Sequence, residues 1–413
     1  MSQELVLVGD PAALPQRKAA ATPDSTNARL LRTLVQLAPA DLPAVSAIGF
    51  EVALAAMADA TKLAIAADLD CFVRWCAKER CPPLPASSED LVRYLRWLGE
   101  VGRKPSTQAR RISSIARAYR LLGLGESDLL TTQARMVHDA LKAGRRRQGV
   151  SQRQAAPLRF GGALGDGRAK GTFTIEVMLA ACGGDFQGLR DAALLSTGYD
   201  GGLRVSELVA ARVEHLEPEG DGSGILALPA SKTDQEGEGA YVWLSPDTMR
   251  RIHAWLEVTG IEDGPLFRRV GVDRRRAREA VPPLPYHAIP GQTRHWQEKL
   301  KGMPATPAQV IYTIGEQPLT RQGVTAIYRR VATGAFDAGL VDLPVAKVDV
   351  AIRALSTHSL RVGLTQDLFA AGEDGSGIAL ALRWKSPTTA LRYGRKLAAG
   401  NNAAARLLAK VRV

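Results

Sequence analysis

No stretch of about 18 uncharged apolar residues occurs in this sequence, so no segment has the length and character of a membrane-spanning helix. The first thirty residues carry Glu4 and Asp10 and lack a sustained apolar run, which argues against a secretory signal and predicts residence in the cytoplasm. Cysteine is scarce. Cys71, Cys76 and Cys81 stand five apart and Cys182 stands alone, so the closely paired spacing that grips zinc is missing. Four thiols cannot staple a chain of 413 residues, and they read as buried thiols, with no metal ion expected. No repeat of roughly 20 to 50 residues is evident, which excludes solenoid and propeller arrays. Acidic residues are outnumbered: 42 Asp and Glu face 54 Lys and Arg, for a formal charge of +12 and a pI near 9.7. That balance points to a polyanionic partner, with nucleic acid favoured over an acidic membrane surface.

The length suffices for two or three domains. Residues 1–28 mix Pro, Ala, Ser, Asp and basic residues without periodicity and read as a flexible arm. Residues 29–147 read as a bundle of four or five helices. "EVALAAMADATKLAIAADLDCFVRWCAKE" repeats apolar residues at three- and four-residue steps, and "SSEDLVRYLRWLGEVG" opens on a serine cap with acids in its first turn. "PSTQARRISSIARAYRLLG" and "TTQARMVHDALKAGRRR" complete it. Residues 148–171, rich in glycine and arginine, read as a basic linker able to track phosphates. In residues 172–413 one strong strand signal appears: "GILALPA" and "AYVWLSP" flank the polar loop "SKTDQEGEG", as in a β-hairpin. The remainder reads as helical, apart from a possible irregular insertion between residues 270 and 317. The predicted fold class is mainly α: a helical bundle followed by a mostly α domain with a small antiparallel sheet.

Several residues in the second domain carry chemistry. In "THSLRVG", His358 precedes Arg361 by three positions, which on a helix lets both reach one anion. Arg204 follows two glycines and lies three residues before Glu207; Lys232 occupies the hairpin tip; "RWKSPTTALRYGRK" sets Trp384 nine residues before Tyr393. Singly these are equally a surface ion pair, a solvated lysine, a capped helix end and core aromatics. Together they suit phosphoryl transfer without a metal. Two arginines, Arg204 and Arg361, hold charge that develops on the free phosphate oxygens. Tyr393 supplies an oxygen nucleophile, His358 favours its phenolate, Lys232 protonates the leaving oxygen, and Trp384 offers a neutral N–H donor.

The order Arg, Lys, His-x-x-Arg, Trp, Tyr behind a basic helical domain resembles the tyrosine site-specific recombinases of the phage integrase family, most nearly the Cre-like group. "GGLRVSEL", "SKTD", "HSLRVG", "RW" and "RYGRKL" carry the likeness, which runs from about residue 50 to the end. It implies a core-binding bundle at 29–147, a catalytic domain at 172–413, a 3′-phosphotyrosine at Tyr393 and strand exchange through a Holliday junction, without metal or ATP. It also implies double-stranded DNA with paired inverted recognition elements as partner, a homotetramer on that DNA, association with a bacterial nucleoid, and a last helix, with Ala403, Leu407, Leu408 and Val411 on one face, that docks into a neighbouring subunit. DNA-reading candidates under the resemblance are Ser106, Arg110, Arg111 and Ser114 on one helix, Arg321 and Gln322 on another, and Thr61 and Lys62 on a third. Arginine favours guanine and glutamine adenine in such contacts, though each residue is as well suited to a phosphate. Two other activities fit the same features: a type IB topoisomerase-like nicking and resealing enzyme, and a DNA-binding regulator that has lost catalysis. The motifs specify no target sequence and no accessory protein.

Overall fold

The computed structural model describes residues 23–39, 47–124, 131–149, 154–160, 172–229, 239–285 and 300–400, with 404, 407, 408 and 411 beyond them. Lys232 and Ala403 lie outside the described residues. Two compact units divide the chain between residues 153 and 154.

In the first unit, helix α1 (Pro23–Leu37) buries Leu30, Leu34 and Leu37, a one-sided stripe at helical spacing, against α3. The helix begins inside the segment expected to be an arm, where Thr26 is buried one turn before Leu30. Helices α2 (Ala47–Ala55) and α3 (Asp59–Glu79) follow. In α4 (Ser88–Glu100) the Ser87 hydroxyl accepts the Asp90 N–H at 3.0 Å, the cap that the serine and acids predict. Helix α5 (Pro105–Leu121) takes proline at its first position, where the missing N–H costs nothing, and α6 (Arg135–Gln148) carries Arg145, Arg146 and Arg147 in its last turn. Phe72, Trp75 and Tyr94 meet with ring centroids 5.0 to 5.1 Å from Tyr94 and anchor the core. Only Cys76 of the four cysteines is buried; Cys71, Cys81 and Cys182 are partly exposed, and all are free thiols.

The second unit opens with a strap, residues 154–160, that belongs to the stretch expected to be a linker. Instead of spanning water it pairs with the unit: the Ala156 N–H donates to the Ala354 carbonyl (3.1 Å) and the Leu158 N–H to that of Ser359 (3.0 Å), with Leu158 wholly buried. Helices α7 (Ile175–Ala180) and α8 (Phe186–Asp200) are capped by Thr174 and Asp185, and α8 is buried over most of its length. Helix α9 (Val205–Ala210) leads into strands β1 (Leu216–Pro218), β2 (Gly224–Leu228) and β3 (Ala240–Leu244), one antiparallel sheet in the order β1-β2-β3. The expected hairpin is its β2–β3 pair, with Leu226 opposite Val242.

After α10 (Pro246–Thr259), the segment read as irregular is ordered in part: β4 (Arg268–Arg275) pairs antiparallel with β5 (Gln309–Pro318) as a separate two-stranded ribbon. The chain closes with α11 (Arg321–Asp337), α12 (Val345–Ala354), α13 (Ser359–Ala370), α14 (Gly375–Ala381) and α15 (Pro387–Gly400). Where the strap crosses α13, Gly363 is required: a Cβ there would lie 1.8 Å from the Leu158 carbonyl oxygen. Asp367 on the same helix ties the strap down, accepting from the Arg159 guanidinium (2.6 Å), the Phe160 N–H (2.9 Å) and the Tyr199 hydroxyl (2.5 Å). No helix among the described residues is long and apolar enough to cross a membrane.

Candidate active site

The site grows from the turn between α8 and α9. Gly201 and Gly202 end α8, and Arg204 sits at the N-cap position of α9. Glu207, three residues on, turns back so that its carboxylate accepts the Arg204 N–H (2.9 Å) and pairs with the Arg204 guanidinium (2.6 Å). The Glu207 side chain is 1 % exposed. Burial alone would push its carboxyl up, but the Arg204 N–H and guanidinium, together with Arg383, outweigh that and hold it below the ordinary carboxylate range.

Arg361 enters from the first turn of α13. It is one of the largest fully buried side chains in the protein, and its guanidinium donates to the carbonyls of Gly202 and Leu382. Two of its five donors are thereby spent, and the fork is aimed by backbone rather than by a carboxylate. Burial first, then the cations Arg204 and Arg383, push it down to about 9; Glu207 and Tyr393 offset this only in part. The Arg361 guanidinium also lies 5.1 Å from the centre of the Trp384 ring.

Trp384 and Tyr393 stack, with ring centroids 5.2 Å apart and planes 13° apart. Tyr393 rides on α15, and its carbonyl accepts from the Gln366 amide of α13 at 3.3 Å. Gly394, the next residue, leaves helical geometry at φ −118°, ψ 22°, where a Cβ would lie 2.1 Å from the Phe369 ring. His358 stands at the N-cap of α13 and is exposed, so it occupies the rim while Arg361 lies inside. Arg204, Glu207, Arg361, Trp384 and Tyr393 are thus joined by direct contacts or by charge.

One residue of the site escapes a reading of the sequence. Arg383 lies in the left-handed region at φ 54° and donates to the Gly201 carbonyl (3.1 Å) and to Glu207 (3.2 Å). Only the sequence neighbour Trp384 marks it. Two guanidinium groups, Arg204 and Arg383, therefore pair with one carboxylate while a third, Arg361, feels its charge without bonding it, an excess of two positive charges in a largely buried place. An anion would satisfy that excess, and free N–H groups on Arg361 remain to bind one.

The DNA-reading candidates separate into two groups. Thr61, Ser106, Arg110, Arg321 and Gln322 are exposed, the last two in the first turn of α11. Lys62, Arg111 and Ser114 do not stand on an open face as expected. Lys62 is buried and pairs with Asp59 at 3.2 Å; Ser114 is buried and donates to Asp68 at 2.9 Å; Arg111, 12 % exposed in its side chain, donates to the Cys71 sulfur and the Tyr94 hydroxyl. For Arg111 and Ser114 the cause is Asp68, itself buried, which draws them toward α3 and also pairs with the half-exposed Arg110. Among the described residues no group of three His, Cys, Asp or Glu is placed to hold a metal ion.

Comparison with known proteins bears on the family and the fold. Residues 172–399 match the family model described as the phage integrase family. An integrase/recombinase XerD homologue of Selenomonas ruminantium is 30 % identical over 222 residues, which is 52 % of this chain and 60 % of that protein. The recombinase Cre of Escherichia phage P1 is 23 % identical over 346 residues, 82 % of this chain and 84 % of that one. Among solved structures, a XerH site-specific recombinase bound to its difH substrate aligns over 94 % of this chain and 98 % of its own, at a TM-score of 0.50 and 13 % identity, a likeness of fold.

Proposed function

The chain belongs to the phage integrase family, and from that premise we propose that it is a site-specific DNA recombinase with Tyr393 as its nucleophile. The observation that carries this reading is the buried guanidinium excess of Arg204, Arg361 and Arg383 beside the Trp384–Tyr393 stack. A DNA phosphodiester is an anion that gains charge on its free oxygens as it is attacked, so a site with unspent positive charge favours the transition state over the ground state. Tyr393 Oη forms a bond to phosphorus as the bond to the 5′ oxygen breaks, leaving a 3′-phosphotyrosine and a free 5′ hydroxyl. The phenol proton leaves to a base, and His358 at the rim fills that role; the 5′ oxygen takes up a proton, which Lys232 supplies. One phosphoester replaces another, so the step reverses without ATP when a 5′ hydroxyl from a second duplex attacks.

The partner in this reading is double-stranded DNA carrying paired inverted elements. Strand exchange between two such sites passes through a Holliday junction held by four copies of the chain. Leu407, Leu408 and Val411 are helical and exposed on the single chain, which supports a tail that docks on a neighbour. In this reading Arg321 and Gln322 at the start of α11 contact base edges, and Thr61, Ser106 and Arg110 contact bases or phosphates; the exposure of these five residues supports it, with Arg110 also held by Asp68.

Covalent trapping tests the proposal. Wild type and Tyr393→Phe are each incubated with fragments of the DNA flanking the gene, denatured in detergent, and the attached DNA is sequenced. An adduct formed by wild type alone is expected. Binding without any adduct would favour a regulator, and relaxation of supercoiled DNA without exchange would favour a topoisomerase.

A further inference from the structure

The β4–β5 ribbon is anchored at one end and bare at the other. Near its base Val270 and Tyr312 are buried in the core, and Val272 and Ile314 pack against it. From Asp273 outward, residues 273–281 on one strand and 303–310 on the other are exposed on both faces. Pairing does not stop there: Arg274 opposes Val310, and Arg278 and Thr306 exchange both backbone hydrogen bonds with no residue gained or lost between. A ribbon that buries neither face gains little from its own packing.

Its charge is one-sided. Residues 268–281 hold Arg268, Arg269, Arg274, Arg275, Arg276 and Arg278 against Asp273 and Glu279. Side chains alternate along a strand, so Arg274, Arg276 and Arg278 continue the face that Val270 and Val272 begin, whereas Asp273, Arg275 and Glu279 lie on the other face. Asp273 is occupied by Arg275 at 3.0 Å. Among the described residues none of the three aligned arginines has an acidic partner.

We infer that this ribbon is an additional DNA-binding arm, with Arg274, Arg276 and Arg278 as a row of phosphate contacts outside the catalytic site. The inference rests on duplex DNA being the partner proposed above. Alternate residues repeat about every 6.8 Å, a spacing on the scale of successive phosphates along one strand. A duplex presents one negative charge per about 1.7 Å of axis, so three arginines in a row always find partners whatever the sequence. A second copy of this chain is a poorer occupant, because two ribbons in a symmetric contact bring like charges together.

The test uses the full chain and a duplex of arbitrary sequence, with affinity measured across a salt series. Arg274→Ala, Arg276→Ala and Arg278→Ala are combined in one variant, and the three corresponding lysine substitutions in another. Loss of three phosphate contacts should flatten the slope of log K against log salt by about 2.7, while the lysine variant should keep the wild-type slope. Over a tenfold rise in salt, the alanine variant would then lose about 500-fold less affinity than wild type. An unchanged slope in a variant that still binds overturns the arm, as does an unchanged slope with an altered oligomeric state, which would assign the ribbon to a subunit contact. Wild type that fails to bind any duplex overturns the arm and the proposed function together. The Tyr393 adduct assay judges that function independently of the ribbon.

Discussion

Replacing Glu207 with glutamine removes the one described carboxylate among Arg204, Arg361 and Arg383 while keeping the side-chain shape. The carboxylate is 1 % exposed and takes donors from Arg204 at 2.6 Å and 2.9 Å and from Arg383 at 3.2 Å. Removing one partner of a buried ion pair costs about 3 to 5 kcal/mol, because the remaining charges stay desolvated. The amide oxygen still accepts one donor, so a loss near 3 kcal/mol is expected, equivalent to about 6 to 12 °C in Tm for a unit of this size. Urea unfolding at neutral pH, with the slope m checked for constancy, measures it. The sign of the pH dependence follows from the lowered folded-state pKa of Glu207. Its stabilisation is fully present above the ordinary glutamate range and is lost as pH falls through the folded value, so wild type and variant should converge in acid. Added inorganic phosphate should narrow the gap at neutral pH, since an anion bound to the native cluster replaces the missing charge. Equal midpoints at neutral pH would refute the picture of a carboxylate that binds Arg204 and Arg383 and offsets the charge of Arg361.

Two further substitutions separate packing from chemistry. Gly363→Ala sets a Cβ 1.8 Å from the Leu158 carbonyl oxygen, so it should cost about 3 kcal/mol and expose residues 154–160 to protease; unchanged proteolysis would contradict the role given to the strap. Arg383→Gly relieves a left-handed arginine but removes a charged hydrogen bond to Glu207, so Tm should change little while adduct formation slows by about tenfold or more; a parallel fall in both would make Arg383 a purely structural residue.

Local signals in the sequence were faithful where the partners are local. The serine and acids before α4, the alternation of "GILAL" and "AYVWL", and the spacing of Arg204 from Glu207 each name a contact completed within a few residues. The resemblance to tyrosine recombinases is upheld in family and fold. What escaped detection depends on partners far along the chain. Residues 154–160 look like a tether because their order comes from Ala354, Ser359 and Asp367, about two hundred positions away. Arg111 and Ser114 look like a DNA-facing stripe until the buried Asp68 is placed beside them. The apolar alternation of β4 ends after Val272 in a run of arginines, which hides a strand within what resembles a basic loop. Arg383 has no signature of its own, since the groups it bonds belong to the turn at Gly201 and to Glu207.

The strap has a mechanical consequence. Along residues 154–160 the chain grips the second unit at the Arg392 carbonyl through Gln154, at the Ser359 carbonyl through Leu158, and at Asp367 through Arg159 and Phe160. Arg392 adjoins Tyr393, while Ser359 and Asp367 lie on the helix that carries Arg361. Tension on the polypeptide as it enters this unit is therefore delivered to the two helices bearing the nucleophile and its buried guanidinium, as a cable loads the brackets to which it is fixed.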